Sequence, residues 1–366
     1  MSIPRICTET VTTSGSTTIR SYDGRFPIHP TSCIVTEELN GEYELEMTVE
    51  STDKYFHEIK IGRIIMVPHD STMVNDFFEI YNISNALNGI AHVSAWHVTY
   101  RTNKMLLKPF TISQPSPYKI LQNLSSWMVQ GGKEMFVFSS NITTQGAFPF
   151  EVKEVSTIRK VLKDVADEYG GEFKWSEHQI QLLSQRGKDS DIILRYGVNI
   201  MSMDREQAAE DAFVGVYPLW SGKDENGNEV TVTLTEEIVT RSYLNDYYDC
   251  HKPIIPLDLS KSFESKPTVT DLRTAAITWL EKNAPRVIPE NIDVSVLQMD
   301  DSDRASVASL ALGDTLTIFY KEMGINVKAK VTKTVFNVLL DRYDSLSIGT
   351  MTNTMNNAIK KVVGIK

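Results

Sequence analysis

The sequence predicts a multidomain α+β protein, with two β-barrel-like modules and peripheral mixed α+β domains. Three observations carry that expectation. Period-two alternation follows an Asn-Gly turn near the start, amphipathic helix patterns with capping signals occupy the middle, and a long regular hairpin pattern lies near the end. At 366 residues the chain has room for about two to four domains. Hydrophobic residues make up 41% and charged residues 23%, so a sizeable core can form without covalent staples.

The first hundred residues read as strands. Asn40-Gly41 is the dipeptide a type I′ hairpin prefers, because both central residues of that turn take positive φ. Beyond it Tyr43, Leu45, Met47 and Val49 alternate with Glu42, Glu44, Glu46 and Thr48, which predicts one dry face and one wet, acidic face. Arg63–Val67 suits a short buried strand, and Phe77–Ile83 with Gly89–Tyr100 suits a second hairpin. The module is an antiparallel barrel or sandwich.

Prolines 109, 115 and 117 mark a change of composition. Pro117 suits the first turn of a helix reaching about Met128. A second helix is expected after Ser156 as N-cap, with Ile158, Val161, Leu162, Val165 and Tyr169 as its stripe and Gly170-Gly171 as its stop. Phe173 to Leu183 suggests a hairpin. Strands return at Ile192–Met203 and after the Asn226-Gly227 turn. Thr268 and Asp271 form a capping box for a helix with Leu272, Ala275, Ala276, Trp279 and Leu280 inward, ended by Pro285. Asp314–Tyr320 and Ile325–Val331 make the last hairpin, turning at Gly324. The expected division is 1–105 for the first β-barrel-like domain, 106–194 and 246–305 for peripheral α+β domains, 195–245 with 306–350 for the second β-barrel-like domain, and 351–366 for a C-terminal tail.

The formal net charge of -10 argues against broad binding to nucleic-acid phosphate and leaves room for a wall that DNA passes without sticking. Cys7, Cys33 and Cys250 form no CxxC pair, so ordinary reduced thiols are expected rather than a zinc site or disulfide framework. No apolar h-region follows the first residues and no run of about 18 apolar residues occurs, so the expectation is cytoplasmic synthesis and no transmembrane segment.

No HExxH, GxSxG, Walker A or GxGxxG motif is present. His92 and His97 are five apart in a strand pattern and so point to opposite faces. Gly131-Gly132 is turn chemistry, Cys250-His251 is adjacent only in sequence, and Asp300-Asp301-Ser302-Asp303 lacks the glycine and distal glutamate of an EF-hand. No catalytic residue, metal or cofactor is expected. Glu42, Glu44 and Glu46 remain open to two readings: a solvated strand face, or an acidic wall facing a channel.

Four stretches resemble the N-terminal hub region of phage minor structural proteins, the prophage tail endopeptidase family. They are Thr36–Leu45, Arg195-Tyr196-Gly197-Val198-Asn199-Ile200, Val216-Tyr217-Pro218 and Lys330–Tyr343, in order along nearly the whole chain. The resemblance implies a fold like the baseplate hub of contractile-tailed phages. There, two tube domains from each of three subunits close a ring that continues the tail tube for DNA passage. It implies a structural, non-enzymatic homotrimer at the virion tail tip, with the distal tail protein or tail tube protein as partner and the tape measure protein as a further one. Sequence-specific nucleic-acid binding is not implied, and the family offers no catalytic residues that carry over. A tail-associated cell-wall hydrolase, resting on Cys250-His251, and a host-receptor binding module are the alternatives.

Overall fold

The computed structural model describes residues 3–14, 17–70, 74–85, 89–129, 136–146, 149–195, 200–207, 213–224, 227–240, 253–263, 265–283, 290–296, 310–322 and 325–349. These fall into two compact units. The first comprises Met1–Asp204 with Ile292–Ile348, and the second contains the described residues of Arg205–Asn291.

The first unit is organised by a 13-stranded sheet. Its central path runs Arg342–Gly349, Ile325–Asn337, Ser32–Glu38, Tyr43–Glu50, Ile90–His97, Asn75–Asn85, Ile64–Pro68, Arg5–Cys7, Phe26–Pro27. The expected alternation holds. Tyr43, Leu45, Met47 and Val49 are all buried, while Glu42 and Glu46 are exposed and Glu44 is half-buried.

The turn before this strand differs from expectation. Asn40 takes φ 59°, but Gly41 does not share a positive φ. The turn is closed by the Gly41 N–H to Glu38 O at 3.0 Å, so it is not type I′. Asn40 has a second task that fixes this shape. Its amide donates to Gly171 O at 2.9 Å and accepts from the Phe173 N–H at 2.7 Å.

The described strands do not close into a barrel, and strands expected in two separate barrel-like modules share this one sheet. The reason is the long strand Ile325–Asn337. Residues 325–330 pair with Thr315–Tyr320, and residues 333–337 pair with Ser32–Glu38. Thr315–Tyr320 also pairs in parallel with Asp189–Arg195. Gly187 is required just before that ladder, since a Cβ there would lie 2.0 Å from the Gly313 backbone. Met323 and Gly324, the expected turn, lie outside the described residues.

The segment expected as a peripheral domain, 106–194, is continuous with the core of the first unit. Helix Pro117–Trp127 starts as expected, with Ser116 as N-cap accepting from the Lys119 N–H at 3.2 Å. Helix Ile158–Tyr169 is capped by Thr157, not Ser156. Ser156 and Thr157 both pair in a short ladder, with Leu107 and Leu106, and it is Thr157 Oγ1 that accepts from the Lys160 N–H at 3.3 Å. Gly170 and Gly171 take φ 74° and 114° and end the helix. Glu172–Trp175 and Gln179–Leu183 form the expected hairpin.

Buried charge ties this segment to the sheet. Arg186 grips Glu37 at 2.7 and 3.1 Å, and Glu37 is only 3% exposed. Burial pulls the Arg186 guanidinium towards deprotonation, but the charge and hydrogen bonds of Glu37 outweigh it and raise its pKa. Glu172 accepts from the Arg186 N–H at 2.7 Å and pairs with Lys330.

The second unit is a small α+β body. Strand Gly215–Lys223 pairs antiparallel with Glu229–Thr233 and Val239–Thr240 and parallel with Ile254–Asp258. Helix Val269–Asn283 buries Leu272, Ala276 and Leu280 in the same core as Val216, Trp220 and Leu257. The Thr268–Asp271 capping box is present: the Asp271 N–H donates to Thr268 Oγ1 at 3.1 Å and the Thr268 N–H to Asp271 Oδ2 at 3.3 Å. The expected boundary at 245/246 therefore falls inside one body, because the parallel ladder joins residues on both sides of it. Pro285, the Asp300–Asp303 run and the tail from 351 to 366 lie outside the described residues.

Asn40→Ala is expected to lower stability by about 2 kcal/mol, because it strands the Phe173 N–H and strains a left-handed residue. Asn40→Gly keeps the turn but not the bonds and is expected to recover only part. Urea unfolding of both variants measures the difference.

Candidate functional site

The acidic candidates sit together on the polar face of the first unit's sheet. Period two places Glu42, Glu44 and Glu46 on that face while their neighbours enter the core. Burial is the first cause that raises the Glu44 pKa, reinforced by Glu42 and Glu46, while a hydrogen bond from the Tyr81 hydroxyl opposes the rise. Lys333 stands 3.9 Å from Glu42 at the rim.

Three aromatic residues share this face. Trp96 lies directly across from Glu44 in the ladder. It stacks on Tyr81 at 4.0 Å and on Tyr100 at 5.3 Å between ring centroids. Tyr81 is 39% exposed and Trp96 38%. Trp96 was legible in the sequence, since it follows His92 and Ser94 in the wet phase of its strand. Tyr81 was not, because it occupies a register shift between Ile80 and Asn82.

Under the opposite face lies a buried polar cluster. The Tyr43 hydroxyl donates to Asp76 Oδ2 at 2.9 Å, and His97 Nε2 lies 2.7 Å from Asp76 Oδ1. His97 Nδ1 is 2.8 Å from Thr99 Oγ1, and the imidazole stacks on Tyr43 at 4.3 Å. His92, by contrast, is exposed, so the two histidines do take opposite faces. Tyr43, Asp76, His97 and Thr99 thus each have a hydrogen-bond partner within the core, while His69 Nδ1 lies 3.9 Å from Asp76 Oδ2 without one. Among the described residues no group of three or more His, Cys, Asp or Glu could hold a metal ion. Cys7 and Cys33 are buried free thiols, with burial raising Cys7 to about 11. Cys250, His251 and Gly131-Gly132 lie outside the described residues. No described helix is long and apolar enough to cross a membrane, which says nothing of β-barrels.

A β-rich α+β chain built on one long open sheet, with an α+β body beside it in sequence, is a fold known from phage tails. The prophage tail protein gp18 from Listeria monocytogenes EGD-e matches with a TM-score of 0.59 at 12% identity, over 94% of this chain and 96% of that one. The tail protein from Neisseria meningitidis MC58 matches at 0.58 and 11%, over 98% of each. The 43 kDa tail protein of prophage MuSo2 from Shewanella oneidensis matches at 0.59 and 10%, over 97% of this chain and 100% of that one. This chain shares their fold. No family model matches it, and no curated protein matches it in sequence.

Asp76 in the buried cluster and Glu177, a half-buried carboxylate that feels its charge, make stability depend on pH in two opposite ways. Burial alone would raise Asp76, but the charge and hydrogen bond of His97, with His69 and Tyr43, hold it below its usual value. Its contribution is therefore present above about pH 4 and lost as pH falls through the folded pKa. Glu177 is raised to about 7, first by burial and then by the charge of Asp76. Its contribution is present below about pH 4 and lost as pH rises to about 7. Asp76→Asn is expected to cost about 3 kcal/mol at about pH 7, a gap that narrows below about pH 4. Glu177→Gln is expected to raise the Tm at about pH 8 and to match the parent near about pH 4. Thermal unfolding across a pH series checks both.

Proposed function

We propose that this chain is a non-enzymatic structural component of a phage or prophage tail, and that three copies close as a hub ring that continues or closes the tail tube. The observation that carries the reading is the fold shared, over nearly the whole chain, with three tail proteins, two of them from prophages. The open sheet supports it. Among the described residues the sheet does not close on itself, and a head-to-tail contact repeated about an axis covers open strand edges in every copy at once.

In this ring the polar face carrying Glu42, Glu44 and Glu46 lines the bore. Carboxylates there repel phosphate and let DNA slide without adhering. The distal tail protein or tail tube protein is the neighbour along the axis, and the tape measure protein is a further partner. The virion tail tip is then its place of work.

Light scattering on the purified chain over a concentration series is expected to reach three copies. Cryo-electron microscopy of particles is expected to show a ring with these glutamates inward. A monomer at every concentration, together with tail tips lacking such a ring, would overturn the proposal.

A further inference from the structure

The polar face carries more than a DNA-repelling wall requires. Such a wall needs carboxylates. It gains nothing from stacked rings, yet Tyr81, Trp96 and Tyr100 form a run across it. The run continues inward. Tyr100 is covered by the Arg159 guanidinium at 4.3 Å, and Arg159 also lies 4.1 Å over Trp175, which stacks on Phe173 at 4.6 Å. Within this run an arginine thus already lies between two rings. At its outer end Tyr81 is exposed, with Glu44 bonded to its hydroxyl and Glu46 two residues further along the same strand face.

The bulge sharpens the point. Ile80 pairs with Ala95 and Asn82 with Ser94, so Tyr81 is the extra residue. Bulges re-aim side chains at the expense of ladder bonds. Here the result is a ring laid against Trp96 beside two carboxylates.

We propose that this face is a docking surface for an arginine-bearing basic segment of a partner protein, with one guanidinium on the Tyr81–Trp96 stack and paired to Glu44 and Glu46. Charge complementarity selects the occupant. A planar guanidinium can stack on a ring and bridge carboxylates at once, whereas an ammonium satisfies only the charge. Tyrosine, tryptophan and arginine are also the residues in which interface binding energy concentrates. The face is exposed on a single copy, so the inference stands whether or not the ring forms.

The test is fluorescence anisotropy with the full chain and labelled peptides of Arg-Gly-Ser, Lys-Gly-Ser or Glu-Gly-Ser repeats, plus a labelled oligo-dT strand. The arginine peptide is expected to bind tightest, and the glutamate peptide and oligo-dT not at all. Tyr81→Ala, which leaves the net charge unchanged, and Glu44→Gln with Glu46→Gln are each expected to weaken arginine-peptide binding about tenfold or more. Tyr81→Phe is expected to retain it, showing that the ring acts and the fold is intact. The charge-matched control Glu151→Gln with Glu154→Gln is expected to leave it within about twofold. Equal binding of the arginine and lysine peptides, equal loss in the control pair, no effect of Tyr81→Ala, or binding of oligo-dT in place of the peptide would each overturn the proposal.

Discussion

The structure of the first unit depends on one ladder, between Ser32–Glu38 near the start of the chain and Ile325–Asn337 near its end. Phe336 faces Val35 and Thr334 faces Glu37, all on the buried side. Backbone bonds extend the ladder at both ends, from the Leu39 N–H to Thr332 O and from the Val338 N–H to Cys33 O, at 2.8 and 3.0 Å. Because side chains alternate, a slip of one residue would expel Phe336 and bury Val335 and Lys333. The register is therefore fixed by the core, and through it the Tyr43–Glu50 strand and its polar face are fixed as well.

One position in that pattern violates the simple rule, and the rest of the unit is arranged around it. Glu37 lies in the buried phase with Cys33 and Val35. A lone carboxylate there would cost several kcal/mol, so its partner has to be present and well aimed. Arg186 meets both oxygens, and its own backbone is held by Glu172, which in turn pairs with Lys330 on the long strand. The network returns to the ladder where it began. It contributes little net energy over an apolar replacement, but losing either Glu37 or Arg186 would leave the other's charge buried and unpaired.

Local chemistry was legible in the sequence and long-range pairing was not. The alternation of Tyr43–Val49, the helix start at Pro117, the Thr268–Asp271 box and the Gly170-Gly171 stop all follow from rules acting over a few residues. The N-cap falls at 157 in place of 156, a shift of one residue that the local pattern does not decide. The same holds for the larger differences. Whether a set of strands closes into a barrel or joins a longer sheet is settled by which edges meet, and the handover along Ile325–Asn337 leaves no mark in its own alternation. The boundary near 245 failed to appear for a similar reason, since Val216 and Ile255 are ladder partners across it. At the candidate face, Glu42, Glu44, Glu46 and Trp96 can be read from their phase. Tyr81 cannot, because a bulge shifts phase without a sequence signature of its own.

Folding stability alone does not account for that face. The core beneath it is complete without it: Leu45, Val93 and Ala95 fill the buried side whatever projects from the other. Threonine occupies the same face at positions 36 and 48, which shows that the strands accept a neutral β-former there. Instead, burial and then the crowding of Glu42 and Glu46 raise the proton affinity of Glu44, and a bulge sacrifices regular pairing to set Tyr81 on Trp96. Repulsion, lost ladder bonds and exposed rings are all unfavourable to the isolated chain. A partner contact of the kind proposed above would offset these costs.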